Sequence, residues 1–254
     1  MTLTWKYINV GAYLLMVLVN YLANQLPLGG KTPAELSALY PVQLTPAGYV
    51  FSIWLLIYLL LAGFLIYQFV ADNDDRLDRV GSVFAASCVF NIAWIFAWHW
   101  ERVGLSLLFM IGLLFMLGTL YQRINRGRHY PALVGWWLLN VPFSLYLGWI
   151  SVATLVNATV FLYERNLYTS ALGPYGWTVL GILLAAVLAG MAIRERRDLI
   201  YALVIIWALS GIGVANADDF PLVLTAWGVA VGISVYLGMH MAAGASRTSD
   251  RGSR

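Results

Sequence analysis

The sequence predicts an all-α polytopic membrane protein with eight transmembrane helices in total. Three observations carry this. Of its 254 residues, 61% are hydrophobic and only 11% are charged, where a soluble domain carries about 25% charged residues. Apolar runs of roughly 18 or more residues, enough to cross a ~30 Å hydrocarbon core, recur along the whole chain. Every acidic and basic residue falls in a loop, at a terminus or at the edge of one of these runs.

In order, the first span runs from about Trp5 to Leu26; with a single Lys6 before it and no small-residue cleavage site after it, it reads as an anchor and not a signal peptide. A linker containing Pro27, Gly29, Gly30, Pro33, Pro41 and Pro46 follows to Ala47. Spans two to four cover about Gly48–Val70, Val80–Trp100 and Val103–Tyr121. The fifth, about Pro131 to Tyr163, would reach roughly 50 Å as a straight helix, so a tilt, a kink near Pro142 or a protruding end is expected. Spans six to eight are about Tyr175–Ile193, Leu199–Ala217 and Phe220–Met241, and the polar tail from Gly244 to Arg254 reads as disordered.

Charge placement fixes the orientation. With both termini inside, the inner side holds Lys6, Arg76, Arg79, Arg123, Arg126, Arg128, Arg194, Arg196, Arg197, Arg247, Arg251 and Arg254, and the outer side only Lys31, Arg102 and Arg165. That bias is a strong positive-inside signal. We expect an integral protein of a bacterial inner membrane with cytoplasmic termini.

Composition also excludes function classes. A single cysteine, Cys88, rules out an internal disulfide framework. No basic stripe reads as a nucleic-acid surface. No metal-ligand spacing, nucleophile elbow or phosphate loop is present. No span centre carries an acid or a base, whereas ion-coupled transporters usually keep one inside the bundle. His99 and His240 sit near span ends and read as interfacial. Asp72, Asp74, Asp75 and Asp78 read as a solvated inner loop. Gly228 and Gly232 form GxxxG and Ala186 and Gly190 a small-xxx-small pair, read as internal packing; Asp218 and Asp219 read as helix caps.

The informative pattern is a set of stripes. Tyr146, Trp149, Ala153 and Asn157 are spaced three, four and four apart, so they share one helix face. Phe51, Trp54 and Tyr58 repeat the pattern in the second span, and Asn91, Trp94 and Trp98 in the third; Tyr13, Asn20 and Asn24 share a face of the first. Amides do not belong among acyl chains, where an unpaired one is costly. Two readings stand side by side: helix–helix contacts with interhelical hydrogen bonds, or a pocket walled by flat π surfaces for a large, planar, apolar ligand.

Three segments resemble the tryptophan-rich sensory protein family, also called the translocator protein or peripheral benzodiazepine receptor family. TPAGYVFSIWLLIY, Thr45 to Tyr58, is similar to its PPGWVF…W…LY, with Thr45-Pro46-Ala47 in place of paired prolines and Tyr49 in place of tryptophan. FNIAWIFAW, Phe90 to Trp98, is similar to LNxxW…F, and WISVATLVN, Trp149 to Asn157, to WVSFATxLN. The likeness covers about residues 5–165 and implies a five-helix translocator-like bundle over 1–165, extended by a three-helix unit over 166–243, as in a longer branch of the family. It implies a receptor or carrier for a tetrapyrrole such as protoporphyrin or haem, or for a sterol-like molecule, in transport or stress sensing, with no required cofactor and with homodimers among its members. Carried over residue by residue, the likeness implies Trp54, Tyr58, Asn91, Trp149 and Ala153 as pocket residues, with the proline-rich linker as lid; the full candidate ligand set adds Tyr49, Phe51, Trp94, Trp98, Tyr146 and Asn157. Val160 to Arg165 matches a proposed cholesterol pattern. The alternatives are an enzyme that degrades porphyrin, with indoles as redox partners, and a ligand-free scaffold.

Overall fold

A computed structural model describes residues 1–26, 30–71, 74–126, 133–170 and 172–252, with side chains as far as 243. Pro27, Gly29, Asp72, Arg128 and Pro131 lie outside the described residues, as do the side chains of the tail 244–254. Every regular element among the described residues is helical. Among the described residues, seven helices are long and apolar enough to span: Leu3–Gln25, Gly48–Val70, Gly81–His99, Val103–Ile124, Leu133–Glu164, Gly173–Arg196 and Phe220–Ala243. The eighth apolar helix, Leu199–Ala215, has 17 residues, at the lower limit of the spanning range.

α1, Leu3–Gln25, buries Asn9, Tyr13, Met16, Asn20 and Ala23, a stripe of alternating four- and three-residue steps facing the bundle. The linker is more regular than its prolines suggest. Thr32 and Glu35 form a reciprocal capping box that starts a short α2, Pro33–Ala38, with Pro33 in its first turn. A 3-10 turn, Gly48–Ser52, leads directly into α3, Ile53–Val70. α4 is Gly81–His99 and α5 Val103–Ile124.

The long fifth span divides. α6, Leu133–Gly135, passes through a π-helical turn, Trp136–Asn140, into α7, Val141–Glu164. Pro142 has no N–H to give back along the helix, and the widened turn directly before it absorbs that break. The irregularity therefore falls where the proline demanded one. α8, Gly173–Arg196, α9, Leu199–Ala215, and α10, Phe220–Gly252, complete the chain.

α7 is the central helix. Every side chain from Val141 to Val152 is buried, as expected when a helix has neighbours on all sides. α3, α5, α8 and α9 all pack against it. Val204 of α9 lies so close to Gly148 that a Cβ there would stand 3.1 Å from Val204 Cβ. One continuous core runs from Phe64, Phe84 and Phe143, whose rings meet edge to face at 5.1–5.9 Å, through to Ile205, Leu222 and Ala226 of the last helices. α10 packs through Leu222, Ala226, Ala230, Ile233 and Leu237 and turns Leu224, Val231 and Val235 outward. Gly228 and Gly232 point outward too, and a Cβ on either would meet nothing. The expectation that GxxxG serves internal packing is therefore corrected: alanines on the opposite face make the close approach. Asp219 does cap α10, accepting from Leu222 N–H at 3.2 Å.

At the arginine-rich end, Arg76 donates through Nε to Asp74 Oδ1 (2.8 Å) and through Nη1 to Asn140 Oδ1 (2.7 Å), while Tyr67 donates to Asp74 Oδ2 (2.8 Å). Asp74 is thus a paired structural carboxylate and not a solvated one. Burial pushes its carboxyl up, but the hydrogen bonds from Arg76 and Tyr67 outweigh that and hold it below the usual range.

Candidate functional site

The aromatic stripes of α3, α4 and α7 meet on Trp54. Its ring stacks on Tyr58 (centroids 5.7 Å apart, planes at 25°) and on Trp94 (6.1 Å, 22°). It meets Tyr146 (5.9 Å, 69°) and Trp149 (6.2 Å, 86°) edge to face. Phe51 reaches the same Trp149 edge-on at 5.6 Å. The local reason is simple. Trp54 and Tyr58 are one turn apart on α3, Tyr146 and Trp149 nearly one turn apart on α7, and both faces are apolar, so ring-on-ring packing is their best burial. α3 packs mainly on α7 and α1, and α4 on α5 and α1, so the indoles of Trp54 and Trp94 bridge the space between α3 and α4.

Behind the rings lies a polar strut. Asn20 of α1 donates to Asn91 Oδ1 (2.8 Å), and Asn91 Nδ2 donates to the Tyr146 hydroxyl (2.9 Å). Asn91 is fully buried and Tyr146 is 1% exposed. Tyr13 donates to the carbonyl of Tyr58 at 2.8 Å, tying α1 to the ring stack. Tyr13 and Asn20, expected as one of the converging faces, hold the cluster through hydrogen bonds to the Tyr58 carbonyl and to Asn91. Asn24 instead turns back to its own helix, donating to Asn20 O.

Two donors in this cluster have no acceptor among the described residues. The indole N–H groups of Trp94 and Trp149 are buried and unpartnered, and Trp149 is only 2% exposed. A buried donor left unpaired costs about 1–3 kcal/mol. On the same cluster, Phe51 is exposed and Trp54, Tyr58, Trp94 and Ala153 are half-buried, so its outer edge is open.

Not every expected residue joins it. Trp98, one turn beyond Trp94, packs at 5.8 Å on Tyr40 of the linker and belongs to a second cluster with Leu36, Val42, Val103, Val160 and Tyr168. The linker therefore does fold down over the end of α4. Tyr49 is exposed and meets Trp207 of α9 edge-on at 5.2 Å. Asn157 pairs with Ser106 of α5, donating to its hydroxyl at 3.1 Å. His99 is buried, not interfacial, with Nδ1 held by Ile95 O at 2.8 Å; the linker that covers Trp98 closes this end of α4. Among the described residues, no group of three or more His, Cys, Asp or Glu is placed to hold a metal ion.

A family model described as TSPO-like protein matches residues 6–239. No curated protein and no solved structure matches the chain significantly.

Proposed function

The chain belongs to the TSPO-like protein family, and from that premise we propose that it is an integral membrane receptor or carrier whose Trp54-centred cluster binds a planar hydrophobic ligand, a tetrapyrrole such as protoporphyrin. The observation that carries this reading is the pair of buried, unpartnered indole N–H donors on Trp94 and Trp149, both packed against Trp54. A ligand with a broad π face and acceptors at its edge would bury the rings further and satisfy donors the protein leaves unused. The spacing of the rings bears on the pose. Trp54 already contacts Trp94 and Trp149 directly, so the guest would enter at the open edge formed by Phe51, Trp54, Tyr58 and Trp94 and part the Trp54–Trp149 contact to reach the buried indole N–H, with Tyr146 and Asn91 as the buried support. Ala153 keeps the α7 side of that edge low.

Cytoplasmic termini are part of the same reading. Arg79, Arg123, Arg126 and Arg196 lie together at one end, tied through backbone carbonyls: Arg79 Nη1 donates to Arg126 O at 2.7 Å and Arg196 Nη1 to Asn125 O at 3.1 Å. That end would be the positive inside.

The test is a titration of purified protein with protoporphyrin, read as tryptophan quenching. Saturable quenching with one site per chain is expected. Non-saturable quenching, the same as that of free tryptophan, would remove the assignment.

A further inference from the structure

The three-helix extension does more than enclose α7; it grips the linker at the point where the linker becomes the ligand site. Val50, in the 3-10 turn, sits against Gly211 of α9. A Cβ at Gly211 would stand 2.2 Å from Val50 Cγ2 and 3.4 Å from Pro46 Cβ. Valine is β-branched and stiff at χ1, so it could not swing away, and only glycine allows this approach. Two hydrogen bonds fix the same contact. Ala47 N–H donates to Gly211 O at 3.0 Å, and the Trp207 indole N–H donates to Val50 O at 3.3 Å. Further along the seam, Leu44 fills the space beside Gly181 of α8, where a Cβ would meet Leu44 Cδ2 at 2.6 Å. Asn216 donates to Gln43 O at 2.8 Å, and Gln43 Nε2 donates to Asp219 Oδ2 at 3.1 Å. Residue 51 is the next one along, and its ring is the one that meets Trp149.

We infer that Gly211 and Trp207 are positioning residues for the ligand site: by seating Val50 against α9 they hold Phe51 edge-on to Trp149, so the extension sets one wall of a pocket whose other walls belong to the first five spans. This rests on the reading of the Trp54 cluster as the ligand site. Neither residue touches the cluster itself; both act through the 48–52 turn. A rigid turn here matters because it leaves the α3 edge of the cluster in one geometry, so that a planar guest meets a formed surface and does not have to order a loop.

The experiment is a size swap read in two ways. Hydrogen–deuterium exchange over residues 44–52 needs no ligand. Gly211→Ala should raise exchange there, because the added methyl cannot coexist with Val50 and the Ala47–Gly211 hydrogen bond must part. Exchange over α5 should stay as in the parent. Val50→Ala in the same chain removes the colliding Cγ2 and should restore protection, which general destabilisation would not do. Trp207→Phe, which keeps a ring but loses the hydrogen bond to Val50 O, should give a smaller rise and guards against a poorly folded glycine variant. In parallel, protoporphyrin affinity should weaken roughly two- to tenfold in Gly211→Ala, the worth of one aromatic contact, and recover in the double variant. Unchanged exchange in Gly211→Ala, or no recovery with Val50→Ala, overturns the seating. Exchange that responds while affinity does not overturns the positioning role. A parent that does not bind protoporphyrin removes the ligand reading, while the exchange arm still decides whether the extension holds the turn.

Discussion

Asn20 and Asn91, 71 residues apart in sequence, share a 2.8 Å side-chain hydrogen bond inside the bundle. It joins α1 to α4 beneath the aromatic cluster, and Asn91 passes the connection to Tyr146 on α7. With its carbonyl accepting and its amide donating, Asn91 serves as a strut that fixes where the Tyr146 ring stands. Asn91→Leu should therefore cost about 1–3 kcal/mol by leaving polar partners unpaired, seen as a lower thermal midpoint in detergent. Asn20→Leu with Asn91→Leu should cost less than the sum of the two single changes, with a coupling of about 0.6 kcal/mol and at most about 1.7 kcal/mol, the average and the maximum for interhelical hydrogen bonds in a membrane protein. Strict additivity would mean the two amides do not depend on each other.

Trp149→Phe isolates the indole N–H from the ring. The phenyl can keep edge contacts with Trp54 and Phe51, and the lost donor has no partner among the described residues. Stability should change little, because losing an unsatisfied buried donor offsets part of the cost of the space the smaller ring leaves. Protoporphyrin affinity should fall roughly fivefold, the worth of one neutral hydrogen bond of about 1 kcal/mol. Calorimetry and quenching on the same preparation check both halves. A drop in stability with no change in affinity would make Trp149 a packing residue alone.

Asp74 gives the molecule an acid-sensitive joint. Its carboxyl is held below its unfolded value of about 3.9 by hydrogen bonds from Arg76 and Tyr67, despite burial. A group with a depressed folded pKa contributes stability above its unfolded pKa, and that contribution is lost as pH falls through the folded one. Thermal stability should be level with respect to this group above about pH 5 and decline below about pH 4. Asp74→Asn should lower the neutral-pH midpoint and flatten the acid limb. The same joint crowds Gly135, where a Cβ would lie 2.6 Å from Arg76 Nη2 and 2.8 Å from the Tyr67 hydroxyl, so a side chain there would have to push these groups off Asp74.

Hydropathy and helical spacing were enough to read the apolar helices, seven of them of spanning length among the described residues, and the convergence of three stripes, because both are local properties of a chain that must satisfy its backbone inside each helix. Trp54, Trp94 and Trp149 meet for that reason. What spacing could not reveal is which neighbour claims a residue. Trp94 and Trp98 share one face of α4, but the linker folds over the end of that helix and takes Trp98 into contact with Tyr40. Asn157 lies on the Trp149 face and is claimed by Ser106. Tyr49 precedes Phe51 by two residues in a 3-10 turn, which sends the first ring to Trp207 and the second to Trp149. Gly211 gave a faint signal only, a small residue within an otherwise apolar span, and its partner Val50 is 161 positions earlier in a stretch with no helical periodicity.

Asp198 is where the extension is pinned to the other end of α7. Its carboxylate accepts from Tyr121 of α5 (2.7 Å), from Ser144 of α7 (2.6 Å to Oδ2) and from the Tyr201 backbone N–H (3.0 Å), which starts α9. Tyr201 then donates to Ser151 at 2.8 Å, so α5, α7 and α9 share one polar chain. Asp198→Ala removes a helix cap and two side-chain partners together, at a cost of about 2–4 kcal/mol. That corresponds to a fall of roughly 4–16 °C in thermal midpoint for a chain of this size. Asp198→Asn keeps one carbonyl oxygen for the cap but must turn its amide toward groups that were donating, so it should fall between parent and alanine. Hydrogen exchange over residues 198–204 should rise in the alanine variant while that of α4 does not, because the loss is local to the α9 start. If Asp198→Asn matched the parent, one oxygen would suffice and the three-helix pin would reduce to an ordinary N-cap.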